Sequence, residues 1–209
     1  MRTCFRGFGL AAMIAATASC GDVVRQGSSP VYLVVDLLQG QRGAATLGQA
    51  SNPLISDVIT NVTTPAPCTT AAPCPTVFGD AGLVTLRAPL KDIGGGSTTL
   101  APTTNNEVTI NRLHVQYSRA DGRNTPGVDV PFAFDSSITG TIPAGGTLQL
   151  GFELVRNVAK QEAPLVQLRT SNNFISAIAT VTFYGTDRVG NDIQVTSQIQ
   201  IEFGNFGDQ

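Results

Sequence analysis

The chain has 209 residues, with 13 Lys and Arg against 15 Asp and Glu, a net charge of −2, and only 13% of residues charged against 42% hydrophobic. Lysine occurs only at Lys91 and Lys160 and the arginines are scattered, so the chain lacks the cationic stripe that neutralises phosphates, which excludes nucleic acid as a partner. With 22 Gly and 12 Pro beside many Thr, Ser, Asn and Gln, the composition suits an exported β protein of short strands, frequent turns and a surface of hydroxyls and amides.

In chain order, Arg2 and Arg6 give a basic start, residues 9–18 (GLAAMIAATA) are uncharged and mostly small and apolar, and the apolar run ends in Thr17-Ala18-Ser19-Cys20. The run is about half the roughly 20 residues that a bilayer core requires, so it reads as an export signal and not as a membrane span. Its last four residues resemble the bacterial lipobox, with Ala18 and Ser19 of permitted types and Thr17 where Leu is usual. The resemblance implies cleavage before Cys20, which then bears a lipid and holds the protein to a membrane; ordinary signal cleavage, with Cys20 incidental, is the alternative. In enteric bacteria an Asp directly after the lipidated cysteine retains a lipoprotein at the inner membrane. Here Gly21 takes that place and Asp22 comes one later, so the resemblance favours the outer membrane.

Removing residues 1–19 leaves 190 residues and a net charge of −4, because the leader holds two of the basic residues and none of the acidic ones. Residues 20–29 read as a polar tether and residues 30–209 as one domain. Cys4 leaves with the leader and Cys20 is assigned to lipid, so the fold keeps Cys68 and Cys74. Outside the cytoplasm two thiols in one Pro-rich loop pair as a disulfide. A tetrahedral metal site would need further ligands, and His114 is the only histidine.

Residues 31–38 (VYLVVDLL) predict a first strand, apolar on both faces apart from Asp36 and therefore buried on both sides or near a sheet end. Residues 54–62 predict a second, weaker strand. Residues 63–76, with four prolines and both cysteines, predict a protruding loop stapled by Cys68 and Cys74 and unable to hold a regular ladder. Residues 83–90 predict a third strand with Val84, Leu86 and Ala88 on one face, at an edge or ending at Pro89. The triplet Gly94-Gly95-Gly96 opens a linker; a phosphate cradle would need a following helix and usually a Lys.

Residues 107–119 (EVTINRLHVQYSR) change phase between Ile110 and Leu113. A β-bulge near Asn111 or Arg112 keeps Val108, Ile110, Leu113, Val115 and Tyr117 on the core side, and His114 then faces outward with Arg112 and Gln116. A lone outward His without an activated Ser or Cys is a surface residue and not a catalyst. Residues 120–127 form a turn, where Asp121, Asn124 and, just beyond, Asp129 are explained by turn chemistry and do not match a calcium loop. Residues 128–135 (VDVPFAFD) alternate strictly and predict a half-buried strand, with Val128, Val130, Phe132 and Phe134 inward.

Residues 147–155 (TLQLGFELV) predict a strand with Leu148, Leu150, Phe152 and Leu154 inward, and Pro164 to Arg169 a short helical crossing. The clearest pattern closes the chain. Ile175, Ala177, Ala179, Val181 and Phe183 line one face, residues 185–191 turn, and Ile193, Val195, Ile199, Ile201 and Phe203 continue that face, with Gln194, Thr196, Gln198, Gln200 and Glu202 outward. With its Asp187 and Gly190-Asn191 turn, this segment resembles the closing hairpin of bacterial immunoglobulin-like domains, over roughly the last 35 residues, and the resemblance implies a fold and no function.

About eight strands separated by turns, without a long helix, predict an all-β antiparallel sandwich, with a closed barrel as runner-up. The absence of Trp and of widely spaced cysteines leaves the looser immunoglobulin-like or fibronectin type III-like class. The function expected is a non-catalytic cell-envelope lipoprotein acting as an interaction or structural module, without cofactor or metal and with a protein or glycan partner unspecified. A carbohydrate-binding module is the alternative, resting on Tyr32 and Tyr184 as exposed rings. A hydrolase ranks last, since the chain has no nucleophile elbow, no metal-ligand cluster and few acidic residues.

Overall fold

The computed structural model describes residues 28–44, 47–92 and 100–207. The leader, Cys20, nearly all of the tether and the Gly94-Gly95-Gly96 linker lie outside the described residues. Ten strands are present: β1 (Val34–Gln41), β2 (Leu54–Asp57), β3 (Thr60–Val62), β4 (Cys74–Thr76), β5 (Asp80–Arg87), β6 (Val108–Ser118), β7 (Phe134–Ile142), β8 (Thr147–Val155), β9 (Phe174–Asp187) and β10 (Asp192–Gly204). They form a three-stranded sheet in the order β1-β5-β8, a five-stranded sheet in the order β2-β10-β9-β6-β7, and the two-stranded ribbon β3-β4. Every ladder is antiparallel except that of β2 on β10. The chain is therefore all-β, as its composition and alternation predict. No ladder between strands joins the two larger sheets among the described residues, so the runner-up barrel is not closed.

The two larger sheets contribute to one hydrophobic cluster. Phe152 of β8 meets Phe183 of β9 edge to face at 5.5 Å between centroids. The Tyr117 hydroxyl of β6 donates to the Leu154 carbonyl oxygen of β8 at 2.6 Å, so the one phenol in the core has a partner and its burial carries no unsatisfied group. Burial, followed by the field of Asp80, pushes the Tyr117 pKa well up, which keeps that donor proton in place. Gly82 supplies space that this packing needs, because a Cβ there would stand 2.3 Å from the Phe152 ring. At the sheet margin Gly140 of β7 does the same against Leu148 and Leu150, where a Cβ would stand 2.8 Å from a Leu150 methyl.

Several elements fall where the sequence puts them. β8 matches the predicted bounds, and the shift in β6 lies between Ile110 and Arg112 against both neighbours, with Val108, Ile110, Leu113, Val115 and Tyr117 all buried. The hairpin β9-β10 pairs in register from Asp187 side to tip of sheet, with Val195 opposite Phe183 and Ile199 opposite Ala179. β9 runs further toward the turn than predicted, to Asp187, leaving residues 188–191 to reverse the chain before β10. β5 ends at Arg87, before Pro89, and is the central strand of its sheet and not an edge. The predicted crossing is a 3-10 helix, Leu165–Thr170.

Four expectations are corrected. β1 is an edge strand exposed on one side, with Leu37 half exposed; a bulge between Val35 and Leu37 turns Asp36 outward onto Arg87 at 2.6 Å. The single strand predicted over 54–62 breaks at Val58 and Ile59 into β2 and β3, which belong to different sheets. The Pro-rich loop does carry a ladder at its end, where Cys74, Pro75 and Thr76 pair with Val62, Asn61 and Thr60. Residues 128–133 are not a strand. The Thr125 carbonyl accepts from the backbone of Val128, Asp129 and Val130, winding the segment so that Val130 is buried while Val128 and Phe132 are exposed. The strand forms instead as β7, whose inward face carries Phe134, Ile138 and Ile142 but is interrupted by Ser136 and Gly140, which weakens its alternation.

Candidate functional site

The residues singled out for chemistry in the sequence are not brought together. Cys68 and Cys74 are disulfide-bonded and close the exposed end of the β3-β4 ribbon, as a local staple. His114 on β6 meets the Asp135 carboxylate of β7 at 3.3 Å, and Asp135 also accepts from Arg112 at 3.1 Å. Asp121 is clamped by Arg119 and Arg123, each at 2.8 Å. The hydrogen bond from Arg123 is the largest of the effects that hold its carboxyl down to about 2. Asn124 accepts from the Arg119 backbone and Asp129 from the Thr125 backbone, which is the turn chemistry expected there. No group of three His, Cys, Asp or Glu is placed to hold a metal ion among the described residues.

The two tyrosines proposed as sugar platforms each carry a cation. The Arg112 guanidinium lies 3.8 Å from the Tyr184 ring centroid and the Lys91 ammonium 5.4 Å from that of Tyr32. Each contact is a cation–π pair, so a stacking sugar would compete with a cation already in place.

The cluster that the fold does assemble is buried, and neither alternation nor motif spacing points to it. Lys160, Asp80 and Asp57 have fully buried side chains and come from three places: the 3-10 turn Val158–Gln161 after β8, the first residue of β5 and the last residue of β2. Lys160 Nζ donates to Asp80 Oδ1 and to the Asp57 carbonyl oxygen, both at 2.8 Å, and lies 2.8 Å from Asp80 Oδ2. Asp80 also accepts from the Gly43 backbone at 2.8 Å and from the Ser56 hydroxyl at 2.5 Å. The Asp57 carboxylate accepts from Arg42 at 2.6 Å, from Thr60 at 3.3 Å and from the Phe206 backbone at 3.2 Å. Desolvation lowers the Lys160 pKa against the pull of Asp80.

Two carboxylates and two cations thus neutralise each other where β2, β5 and the β8–β9 connection meet. Arg42 alone of the four reaches the surface, beside a groove of about 470 Å³ that Leu54, Ile55 and Phe206 also line. A carboxylate with no exposure has no access to a dissolved substrate, so the cluster holds chain segments together and is not a hydrolytic pair. Lys160 sits in a segment of mixed charge, and Asp80 precedes the predicted third strand. Only the meeting of the two sheets makes these residues neighbours.

Compared with protein-family models, curated proteins and solved structures, the chain matches none.

Proposed function

We propose that the chain is a non-catalytic cell-envelope lipoprotein, anchored by a lipid on Cys20 and probing its surroundings with an immunoglobulin-like or fibronectin type III-like sandwich. The anchor rests on the basic start, short apolar run and Ala-Ser-Cys ending of residues 1–20. The finer fold is supported by strand order. In immunoglobulin-type sandwiches the first, second and fifth lettered strands share one sheet while the third, sixth and seventh share the other. β1, β5 and β8 have the first relation and β6, β9 and β10 the second, with β7 as an added strand beside β6. Lys160, Asp80 and Asp57 are closed to solvent, which supports a structural and not a catalytic role for that cluster.

The carrying observation is the lipobox-like leader, and its test is incorporation of labelled palmitate. The wild type takes up label and Cys20→Ala does not; equal labelling of both overturns the reading. The same purified protein on a glycan array separates the module classes, since saturable glycan binding lost in Tyr184→Ala would replace this reading with the carbohydrate-binding one.

A further inference from the structure

We propose that Lys160 and Asp80 become joined by a side-chain amide, a covalent crosslink between the segment after β8 and the first residue of β5. The geometry carries it. Nζ lies 2.8 Å from both carboxylate oxygens of Asp80, and neither side chain has any exposed surface. Asp57 does not compete for the amine through its carboxylate, which is taken by Arg42 at 2.6 Å; its backbone carbonyl instead accepts from Nζ at 2.8 Å and fixes the direction of the ammonium.

The neighbours of the pair supply what the reaction needs. A proton passes from Nζ to Asp80 Oδ2, leaving a neutral amine beside a carboxylic acid; burial favours this exchange because it penalises the charged forms. The nitrogen lone pair adds to Cγ, and the negative charge that develops on Oδ1 faces the Gly43 N–H, 2.8 Å from that oxygen. A second proton moves from the nitrogen to the departing Oδ2, which lies 2.8 Å from it, while the Ser56 hydroxyl, 2.5 Å from that oxygen, donates to it and helps it leave as water. One C–N bond forms, one C–O bond breaks, one water leaves, and the nitrogen keeps one hydrogen. Two opposite charges disappear, and no oxidant, reductant or cofactor takes part.

Two effects drive a condensation that water ordinarily opposes. Groups held in contact by a fold act at effective concentrations of about 10⁵ to 10⁸ M when well oriented. The product is a neutral amide in a place where two ions otherwise remain desolvated. Arg42 and Asp57 keep their own ion pair, since a guanidinium does not acylate under these conditions.

The test is peptide mapping of the full chain, purified folded, then reduced, denatured and cut with trypsin. The expected product is residues 43–87 joined to residues 157–169, lighter than the two together by one water, uncut after Lys160, with fragmentation placing the bond between Lys160 and Asp80. Recovery of residues 43–87 and 157–160 as separate peptides of unmodified mass overturns the proposal. Ser56→Ala keeps both reacting groups, and in a time course after refolding its crosslink forms more slowly; an unchanged rate overturns the donor role assigned to Ser56 at the departing oxygen. The linked peptide is absent from Asp80→Ala, and its presence there places the bond elsewhere and overturns the assignment.

Discussion

Asp187 shows how one side chain sets a turn. Its carboxylate accepts from the backbone of Val189 at 3.1 Å and of Asn191 at 2.8 Å, and from the Asn191 amide at 2.8 Å, while Gly190 takes a φ of +87° that costs a glycine little. Burial pushes the Asp187 pKa up, but the hydrogen bonds from Asn191, Ser29 and Val189 outweigh it and the net shift is down from 3.8. A carboxylate with a folded pKa below its unfolded one adds stability that is complete above the unfolded value and is lost as pH falls through the folded value. Asp187→Asn therefore lowers stability at neutral pH by roughly 1 to 2 kcal/mol and flattens the loss below about pH 4. Denaturant melts of both proteins at pH 7 and at pH 3 check this; a parallel acid loss in the variant would count against it. Asp57 carries a larger stake. Asp57→Ala strips the partner from Arg42, Thr60 and the Phe206 backbone and leaves the Arg42 guanidinium without its carboxylate, which costs about 3 to 5 kcal/mol. Thermal unfolding measures it, with Arg87→Ala, whose partner Asp36 is exposed, as the surface pair expected to cost under about 1 kcal/mol.

Among the elements, the β9-β10 hairpin carries the core of the five-stranded sheet. Phe183 is fully buried against Phe152, and Ile199 and Ile201 are equally enclosed. Phe183→Ala or Ile199→Ala costs about 2 to 5 kcal/mol through lost transfer energy and a residual cavity, out of roughly 5 to 15 kcal/mol that holds a domain. Gln198→Ala, on the exposed face with only a Thr180 hydroxyl at 3.2 Å, changes stability by well under 1 kcal/mol. Melting points of the three variants test the register, because a slip of one residue would exchange the faces and reverse the order. The β3-β4 ribbon stands at the other extreme. Its disulfide closes a loop with a sequence separation of 6, for which loop-closure entropy gives roughly 2 to 3 kcal/mol, yet the ribbon's tip is exposed and touches little of the core. Cys68→Ser with Cys74→Ser should raise proteolysis within residues 63–73 while leaving the main melting transition within a few degrees.

At the scale of the molecule, two sheets, antiparallel but for β2 on β10, share a core, and one end of that core is pinned by the Lys160, Asp80 and Asp57 cluster. The cluster unites the end of β2, the start of β5 and the connection into β9. If lipid on Cys20 holds this body to a membrane, Cys20→Ala releases it: detergent is then no longer needed to extract it from envelopes, whereas the wild type partitions with lipid. Fractionation of both proteins, with the anti-chain signal followed in soluble and membrane pools, reads the outcome directly.

Alternation by itself determined β8, β9, β10 and the inward set of β6, including its bulge, because a two-residue period of large apolar side chains against amides and hydroxyls has one arrangement that buries the first set. Cysteine count and the exported reading led to the Cys68–Cys74 staple, because two thiols remain in one loop. Alternation failed where burial does not write itself in apolar residues. The inward face of β7 is interrupted at Gly140, where Leu148 and Leu150 fill the space a Cβ would take; residues 128–133 alternate but are wound around Thr125. Only the tertiary structure decided that β2 lies parallel on β10 and that Lys160 meets Asp80 and Asp57. Those contacts join positions some 80 to 150 residues apart, and a buried charge is told from an exposed one by its partners, which no local pattern names.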